Sequence, residues 1–279
     1  MAIALALLTS VAYGVSNYVG PRLARGAPLL VLLIAGQACS LVFAGVVVLV
    51  QRDELPSGGP LAAALIAGFG NAGGLLLFYR AAAIGPLSIV APIGAMGSAV
   101  PVAYGLLGGE SLTALKGAGI ALAIGGLVLV TRRRSAGEAR PRDRTRTVVL
   151  AGLSAASFGV FLAAMGPASE GGSGWAVLLS RVSLLGVLAA VAVHAGAPWR
   201  LAAGRLPLLA VPGILLFAGT LSYAAATRAG DLSVVSVLGS LFPLVTVTLA
   251  LSLDRERLTG SQLAGVAATL AGVVALSAR

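Results

Sequence analysis

The sequence predicts an all-α integral membrane protein of ten transmembrane helices. Hydrophobic residues fill 58% of the 279 positions and charged residues only 10%, which leaves too little polar surface for a soluble domain. A spanning helix needs about 20 mostly apolar residues, and ten such windows follow one another along the chain. In order, they are roughly 2–20, 29–50, 61–83, 87–107, 113–131, 147–166, 174–194, 207–227, 232–251 and 260–278.

Each window is predicted to be helical because backbone groups inside a bilayer must find their hydrogen bonds within the segment. The alternating short strands of a membrane barrel are absent from the pattern. No basic residue precedes the first window, so we expect it to be retained as a helix and not removed as a signal peptide. Glycine and proline separate the windows. The breaks carry Gly20-Pro21, Pro56 to Gly59, Gly85-Pro86, Gly108-Gly109, Gly171-Gly172, Ala197-Pro198 and Gly230-Asp231.

The charge pattern excludes several classes of protein. The net charge of +10 would suit nucleic acid in a soluble protein, but seven arginines fall in the segment 131–147 between two apolar windows. We therefore interpret the basic charge as a signal for membrane orientation and expect no nucleic-acid partner. A single cysteine, Cys39, excludes an intrachain disulfide. A single histidine, His194, and the lack of a carboxylate cluster predict no metal site and no cofactor.

The two sides of the segment 131–147 align with each other at an offset of about 145 residues. Tyr13-Gly14 matches Phe158-Gly159, and, after one residue of slippage, the corner 110–113 matches 256–259. Each half holds five windows. Because five is odd, the halves must have opposite orientations in the membrane, and inverted repeats are typical of secondary transporters.

The predicted units are a first repeat over 1–131, a basic connecting loop over 132–146 and a second repeat over 147–279.

The repeat resembles the EamA repeat of the drug/metabolite transporter superfamily. It opens with an aromatic-Gly pair, has a Tyr-x-x-Ala stretch at the end of its third helix, turns at a Gly-Glu-x-Leu-Thr corner and closes with a glycine-containing helix. The resemblance covers roughly 5–131 and 148–278. It implies a translocator with a central cavity between the halves. Relatives carry amino acids, other metabolites, nucleotide sugars or drugs, so the family does not name the substrate.

This chain departs from the family pattern in two places. The first-helix aromatic residue, often tryptophan in the family, is Tyr13 in one repeat and Phe158 in the other. The second corner reads Asp254-Arg255-Glu256 instead of Gly-Glu. Neither departure changes the predicted fold, and neither identifies the substrate.

Polar side chains inside apolar windows usually face a cavity or a partner helix. Tyr13, Ser16 and Asn17 share one face of the first window at helical spacing. Gln37 lies in the middle of the second window, and Arg181 lies about a third of the way along the seventh at a near-equivalent repeat position. We interpret Tyr13, Asn17, Gln37 and Arg181 as candidates for the substrate path, with hydrogen bonding between helices as the alternative for Ser and Asn.

Arg181 allows two interpretations. An intramembrane arginine costs about 2.5–3.5 kcal/mol on insertion scales, so it needs a reason to be there. As a cavity-facing cation it would attract a substrate carboxylate or phosphate with two parallel hydrogen bonds. Alternatively, it extends to the nearer interface or binds helix carbonyls.

Four further candidates for the substrate path are Ser98 and Tyr104 in the fourth window, Tyr223 near the end of the eighth and Ser240 in the ninth. Proline within these windows frees carbonyls and allows bending, either as a gating kink or as a static one. Tyr223 also suits an aromatic belt at the membrane interface.

The fifth and tenth windows each carry two glycines seven residues apart, which is about two helical turns. Such small-residue faces allow close helix packing in lipid. We therefore predict that Gly119, Gly126, Gly265 and Gly272 pair the halves. The small multidrug relatives couple protons through a glutamate in their first helix. No acidic residue lies inside a window here, which predicts against proton-coupled efflux of lipophilic cations.

The predicted function is secondary transport, by export or exchange, of small polar metabolites such as amino acids or related anionic or zwitterionic compounds. No Walker motif occurs, so we expect no ATPase subunit. No convergent set of His, Ser or carboxylate residues is visible inside the windows, so we expect no enzyme activity. The partners are the lipid bilayer of a bacterial inner membrane and a small-molecule substrate, and the oligomeric state stays open. A non-transporting membrane scaffold or sensor and a membrane-embedded enzyme are the alternatives. The basic loops favour both termini outside, whereas the family resemblance implies both inside.

Overall fold

The computed structural model describes residues 1–23, 29–84, 90, 93–94, 96–109, 113–131, 141–196, 206–253 and 260–277. All regular structure in these residues is helical, as the sequence predicts. A 3₁₀ turn covers Met96–Ser98. The α-helices are α1 (Ala2–Leu23), α2 (Leu29–Gln51), α3 (Gly58–Ile84), α4 (Ala99–Leu107), α5 (Ala114–Thr131), α6 (Pro141–Glu170), α7 (Ser173–His194), α8 (Leu206–Thr227), α9 (Leu232–Gly239), α10 (Phe242–Leu253) and α11 (Gly260–Ser277).

Six helices within the described ranges are long and apolar enough to cross a membrane. Large apolar side chains such as Leu49 and Val50 point outward, which suits contact with lipid tails. The chain is therefore a multi-pass membrane protein. Three further apolar helices are shorter, so the total of ten spans stays a prediction. The six spans are Ala2–Gly20, Leu30–Gln51, Gly58–Ile84, Thr145–Glu170, Ser173–His194 and Ala210–Thr227.

The ninth predicted window, 232–251, is not one helix. It is interrupted after Gly239, and α10 starts at Phe242. Pro243 explains the break, because it has no backbone N–H to donate to the Gly239 carbonyl four residues earlier. The sequence had predicted a kink here. The structure replaces the kink with two short helices separated by a turn.

The predicted loop between the halves is shorter than expected. It was predicted over 132–146, but α6 already starts at Pro141. Proline suits the first position of a helix, where its missing N–H would have no partner anyway. Residues 132–140 lie outside the described part of the chain, as do Glu110 and Glu256 at the two predicted corners.

Contacts between the halves occur in reciprocal pairs. The Thr9 hydroxyl on α1 donates to the Gly219 carbonyl on α8 at 3.1 Å, and the Ser154 hydroxyl on α6 donates to the Gly74 carbonyl on α3 at 2.8 Å. Each member of the first pair lies 145 positions from its counterpart in the second. The same hydrogen bond is thus made twice, with the halves exchanging roles.

Tyr13 and Phe158, the aromatic residues in the first helix of each half, also make reciprocal contacts with the opposite half. A methyl group added at Gly219 would lie 2.6 Å from the Tyr13 ring, and one added at Gly74 would lie 2.6 Å from Cε1 of the Phe158 ring and closer still to Cδ1. Only glycine leaves room for a ring at this distance. Each aromatic ring therefore packs on the third-helix glycine of the opposite half.

Two more glycine contacts repeat across the halves. Gly68 on α3 packs against the Ser180 carbonyl on α7, and Gly213 on α8 packs against the Gly36 carbonyl on α2. These backbones approach too closely for any side chain at either glycine. The packing therefore depends on small residues, as expected for helices associating in lipid.

α5 and α11 pack along each other at the edge of the bundle. The four glycines predicted to pack are buried. A methyl group added at Gly272 would lie 2.7 Å from the Gly119 carbonyl oxygen and 2.6 Å from the Ala123 backbone nitrogen. The two helix backbones are thus in direct contact at this level. The four are Gly119, Gly126, Gly265 and Gly272.

Candidate functional site

A cavity lies between the halves, with about 670 Å³ of empty space when the part open to the outside is included. It is bounded by α1, α2, α3, α6, α7 and α8, and by the break between α9 and α10. The lining residues are Tyr13, Asn17, Gln37, Asn71, Leu75, Phe78, Gly94, Phe158, Phe161, Leu162, Arg181, Leu216, Thr220, Gly239, Ser240 and Phe242.

Arg181 is the largest fully buried side chain among the described residues, with 1% of its surface exposed. Its Nη1 donates to Gln37 Oε1 at 2.8 Å. Its Nη2 donates to the Thr220 hydroxyl and, at 3.3 Å, to the Leu216 carbonyl. Its Nε is buried without a hydrogen-bond partner in the described part of the chain. Arg181 thus stays at the cavity and does not extend to the membrane interface.

Tyr13 extends this network. Its hydroxyl lies 2.9 Å from Thr220 Oγ1. Thr220 Oγ1 also lies 2.7 Å from the Leu216 carbonyl and uses its single proton there. Tyr13 is therefore the donor toward Thr220. Residues from α1, α2, α7 and α8 meet in one hydrogen-bonded cluster, so this cluster joins both halves of the chain.

The charge of Arg181 is not balanced within the described residues. All of its hydrogen-bond acceptors there are neutral, and the cavity lining contains no Asp or Glu. A cation removed from water is costly unless hydrogen bonds or an anion compensate it. The site therefore carries a net positive charge that an incoming anion would neutralise.

Another part of the lining is apolar and aromatic. Phe78 and Phe158 meet edge to face, with ring centroids 6.3 Å apart. Leu75 packs with Phe158 in the same cluster of side chains. Another aromatic ring that enters the cavity can make a further edge-to-face contact with such a pair. The cavity therefore combines a polar, cationic part with an apolar wall.

Five of the eight side chains predicted for the substrate path line this one cavity. Residues from four separate predicted windows are thus brought together, although their role in transport is a prediction that the geometry alone does not test. The five are Tyr13, Asn17, Gln37, Arg181 and Ser240.

The other three predicted residues lie outside the lining. Tyr223 is fully buried, and its hydroxyl bonds the Leu162 carbonyl at 2.9 Å and Ser236 Oγ at 2.6 Å, which makes it a packing residue. Tyr104 is 51% exposed on the outer face of α4. Ser98 is buried in the 3₁₀ turn. These three residues do not line this cavity, and their place in the substrate path stays a prediction.

Two polar lining residues were missed by the sequence analysis. Asn71 is the only asparagine in the third window, a signal that could have identified it. Thr220 could not have been distinguished from the other hydroxyl residues by sequence, because its place depends on how α8 is rotated against α7.

The lining also repeats across the halves. Five pairs of lining residues are separated by 145 positions, and Gln37 and Arg181 by 144. Both halves therefore present the same structural positions to the cavity. The five pairs are Tyr13 and Phe158, Asn17 and Leu162, Asn71 and Leu216, Leu75 and Thr220, and Gly94 and Gly239.

No group of three or more His, Cys, Asp or Glu side chains that could hold a metal ion occurs among the described residues.

Comparison with known proteins gives a family and a fold. Residues 145–278 match the EamA-like transporter family. The whole fold is similar to that of a solved crystal structure, with a TM-score of 0.82, 15% sequence identity, and coverage of 98% of this chain and 95% of the other. At this identity the likeness shows the fold alone. No curated protein matches the sequence.

Proposed function

Because this chain belongs to the EamA-like transporter family of the drug/metabolite transporter superfamily, we propose that it is a secondary transporter of small polar metabolites. Its substrates are amino acids or related anionic or zwitterionic compounds, which it exports or exchanges by alternating access across a bacterial inner membrane. One observation carries the proposal: a cavity between the halves contains a buried arginine whose hydrogen-bond partners among the described residues are all neutral.

The reciprocal contacts support two repeats that are related by a two-fold axis. In a two-fold interface, each contact is made twice with the partners exchanged. The hydrogen bonds of Thr9 and Ser154 and the ring contacts of Tyr13 and Phe158 have this property. With five spans in each repeat, the axis lies in the membrane plane and the repeats are inverted. Alternating access is then a rocking of one repeat against the other around a fixed site.

The break in the ninth window supports the same mechanism. Gly239, Ser240 and Phe242 lie at this break and line the cavity. Gly94, which lies 145 positions before Gly239, lines it from the first half and precedes the 3₁₀ turn Met96–Ser98. Discontinuous helices at a midplane site are a recurrent feature of secondary transporters.

The two alternatives explain less of the geometry. A membrane-embedded enzyme needs a convergent set of acid, base or nucleophile, and the described lining has no His, Cys, Asp or Glu. A scaffold or sensor needs no polar cavity between its halves. Transport is the function for which such a cavity is required.

Blocking the cavity is expected to stop transport without unfolding the protein. Asn71 on α3 lines the cavity, so Asn71→Trp places a large ring in the substrate path. Ile66 on the same helix is 50% exposed on the outer face, and Ile66→Trp adds the same ring toward lipid. We expect the wild type and Ile66→Trp to release the same metabolites from bacterial cells, whereas Asn71→Trp releases none above the vector control. Mass spectrometry of the medium at equal membrane abundance measures this.

The transporter proposal fails if the medium is the same with all three chains and with the empty vector. It also fails if Asn71→Trp, extracted as a monodisperse protein, releases as much as the wild type, because the flux would then bypass the cavity.

A further inference from the structure

Equivalent positions of the two halves carry side chains of different polarity in the cavity lining. Tyr13 and Phe158 occupy equivalent positions in the lining, and so do Asn17 and Leu162. In each pair, one member is polar and the other apolar. A lining with matched polarity in both halves would give the substrate the same surroundings on either side. This lining instead offers two different environments.

The next two pairs show the same contrast. Asn71 is matched by Leu216, and Thr220 is matched by Leu75. Polar members come from both halves, so the contrast does not arise because one half is simply more polar. It is a property of the assembled cavity.

Three polar lining residues form a cluster with the cation. Gln37 and Thr220 accept hydrogen bonds from Arg181, and Tyr13 bonds Thr220 at 2.9 Å. Three apolar lining residues form another cluster, since Leu75 and Phe158 pack together and Phe78 meets Phe158 edge to face. The cavity lining therefore contains a polar, cationic cluster and an aromatic cluster.

Arg181 keeps donors for a ligand. A guanidinium has five N–H donors in a planar fork. Three hydrogen bonds of Arg181 are accounted for, by Gln37, Thr220 and the Leu216 carbonyl. Nε has no partner in the described residues, but it is buried, so a ligand reaches it only if a neighbouring side chain moves. The N–H groups that are left would suit a carboxylate, which pairs with a guanidinium through charge-assisted hydrogen bonds.

An ammonium group on the ligand has no matching anion. The described lining residues hold no carboxylate, and the one charged side chain among them is Arg181. Moving an ammonium from water into this cavity would leave it without an ion pair and close to another cation. The cavity chemistry therefore disfavours a positive group on the substrate.

We propose that the cavity selects an organic monoanion: a carboxylate at Arg181 carrying an apolar, preferably aromatic, body against Phe78 and Phe158, and no ammonium. This rests on the proposed transport function and narrows its substrates from anionic or zwitterionic compounds to anionic ones. The aromatic ring of a bound ligand, placed at the Phe78–Phe158 pair, would add an edge-to-face contact.

Four probes that differ by one group test this selection on the purified full chain in detergent. They are 3-phenylpropionate, phenylalanine, 2-phenylethylamine and propionate, titrated by calorimetry at neutral pH. We expect 3-phenylpropionate to bind most tightly. We expect the affinities of phenylalanine and propionate to be about tenfold or more lower, which is about 1.4 kcal/mol each. We expect no binding of the amine.

Single substitutions test which residue binds the carboxylate of the ligand and which binds its aromatic body. Arg181→Gln is expected to weaken the binding of both anions about tenfold or more. Phe158→Ala is expected to bring the affinities for 3-phenylpropionate and propionate closer together. Phe69→Ala is the matched control, because Phe69 is 60% exposed on the outer face of α3 and its loss should change neither affinity.

The inference is overturned if phenylalanine or the amine binds as tightly as 3-phenylpropionate, if Arg181→Gln leaves anion binding unchanged in a folded protein, or if none of the probes binds. The outcome is separable from that of the transport proposal. A zwitterion exported through the cavity would contradict the selectivity and leave transport intact. Selective binding of the anion without any export through the cavity would support the selectivity and contradict the transport proposal.

Discussion

Replacing Arg181 by glutamine is expected to lower the export of anionic substrate about tenfold or more. Hydrogen bonds to charged groups contribute about 1.5–3 kcal/mol, and the variant removes the one charge found among the described lining residues. Arg181→Lys keeps the charge but loses the planar fork, so we expect an intermediate rate. Initial rates of release from cells, normalised to the amount of protein in the membrane, measure both variants.

The stability of the same variant separates a substrate contact from a structural role. A buried cation with only neutral partners is costly, so its removal should leave the melting temperature unchanged or raise it. If the hydrogen bonds from Arg181 to α2 and α8 were instead its main role, Arg181→Gln would melt earlier and lose transport only because it unfolds. Normal transport by a folded Arg181→Gln protein would contradict the role in substrate binding outright.

Replacing Gly70 by leucine is expected to prevent folding. A methyl group at Gly70 would lie 2.7 Å from the Phe161 backbone nitrogen and 2.8 Å from the Ser157 carbonyl oxygen. Since both atoms belong to the α6 backbone, they cannot turn away, and α3 and α6 would have to separate. Overpacking typically costs about 1–3 kcal/mol and occasionally more, and contact with backbone atoms places this substitution at the upper end. The measurement is the fraction of membrane protein that elutes as a single monodisperse peak after extraction.

Gly152→Leu is the matched control for this change. Gly152 lies on α6 with nothing within 4 Å of an added methyl group, so the substitution meets open space. We expect this variant to elute like the wild type. Equal elution profiles for Gly70→Leu and the wild type would show that α3 and α6 do not pack as described.

The positions of the long helices could be predicted from sequence because the bilayer fixes their length. The seventh window was predicted over 174–194, and α7 covers Ser173–His194. The break before Phe242 was not predicted in this form. Whether a proline bends a helix or ends it depends on what surrounds the freed backbone groups, and the local sequence does not contain that information.

The candidate site could be predicted in part. Gln37 and Arg181 stand out because polar groups in apolar windows need partners, and each lines the cavity. Tyr223 stands out for the same reason but serves packing between α6, α8 and α9. In lipid, an outward face and a packed face are both apolar, so helical periodicity cannot tell which of these polar residues faces the cavity and which faces a neighbouring helix.

Transport by the purified protein tests the central claim most directly. Liposomes containing the wild type, Asn71→Trp or no protein are loaded with a bacterial metabolite extract, and the compounds that leave are identified by mass spectrometry. The cavity account predicts release of a limited set of organic anions by the wild type alone. Equal release from all three preparations would contradict it, and so would equal release by the wild type and a correctly inserted Asn71→Trp protein.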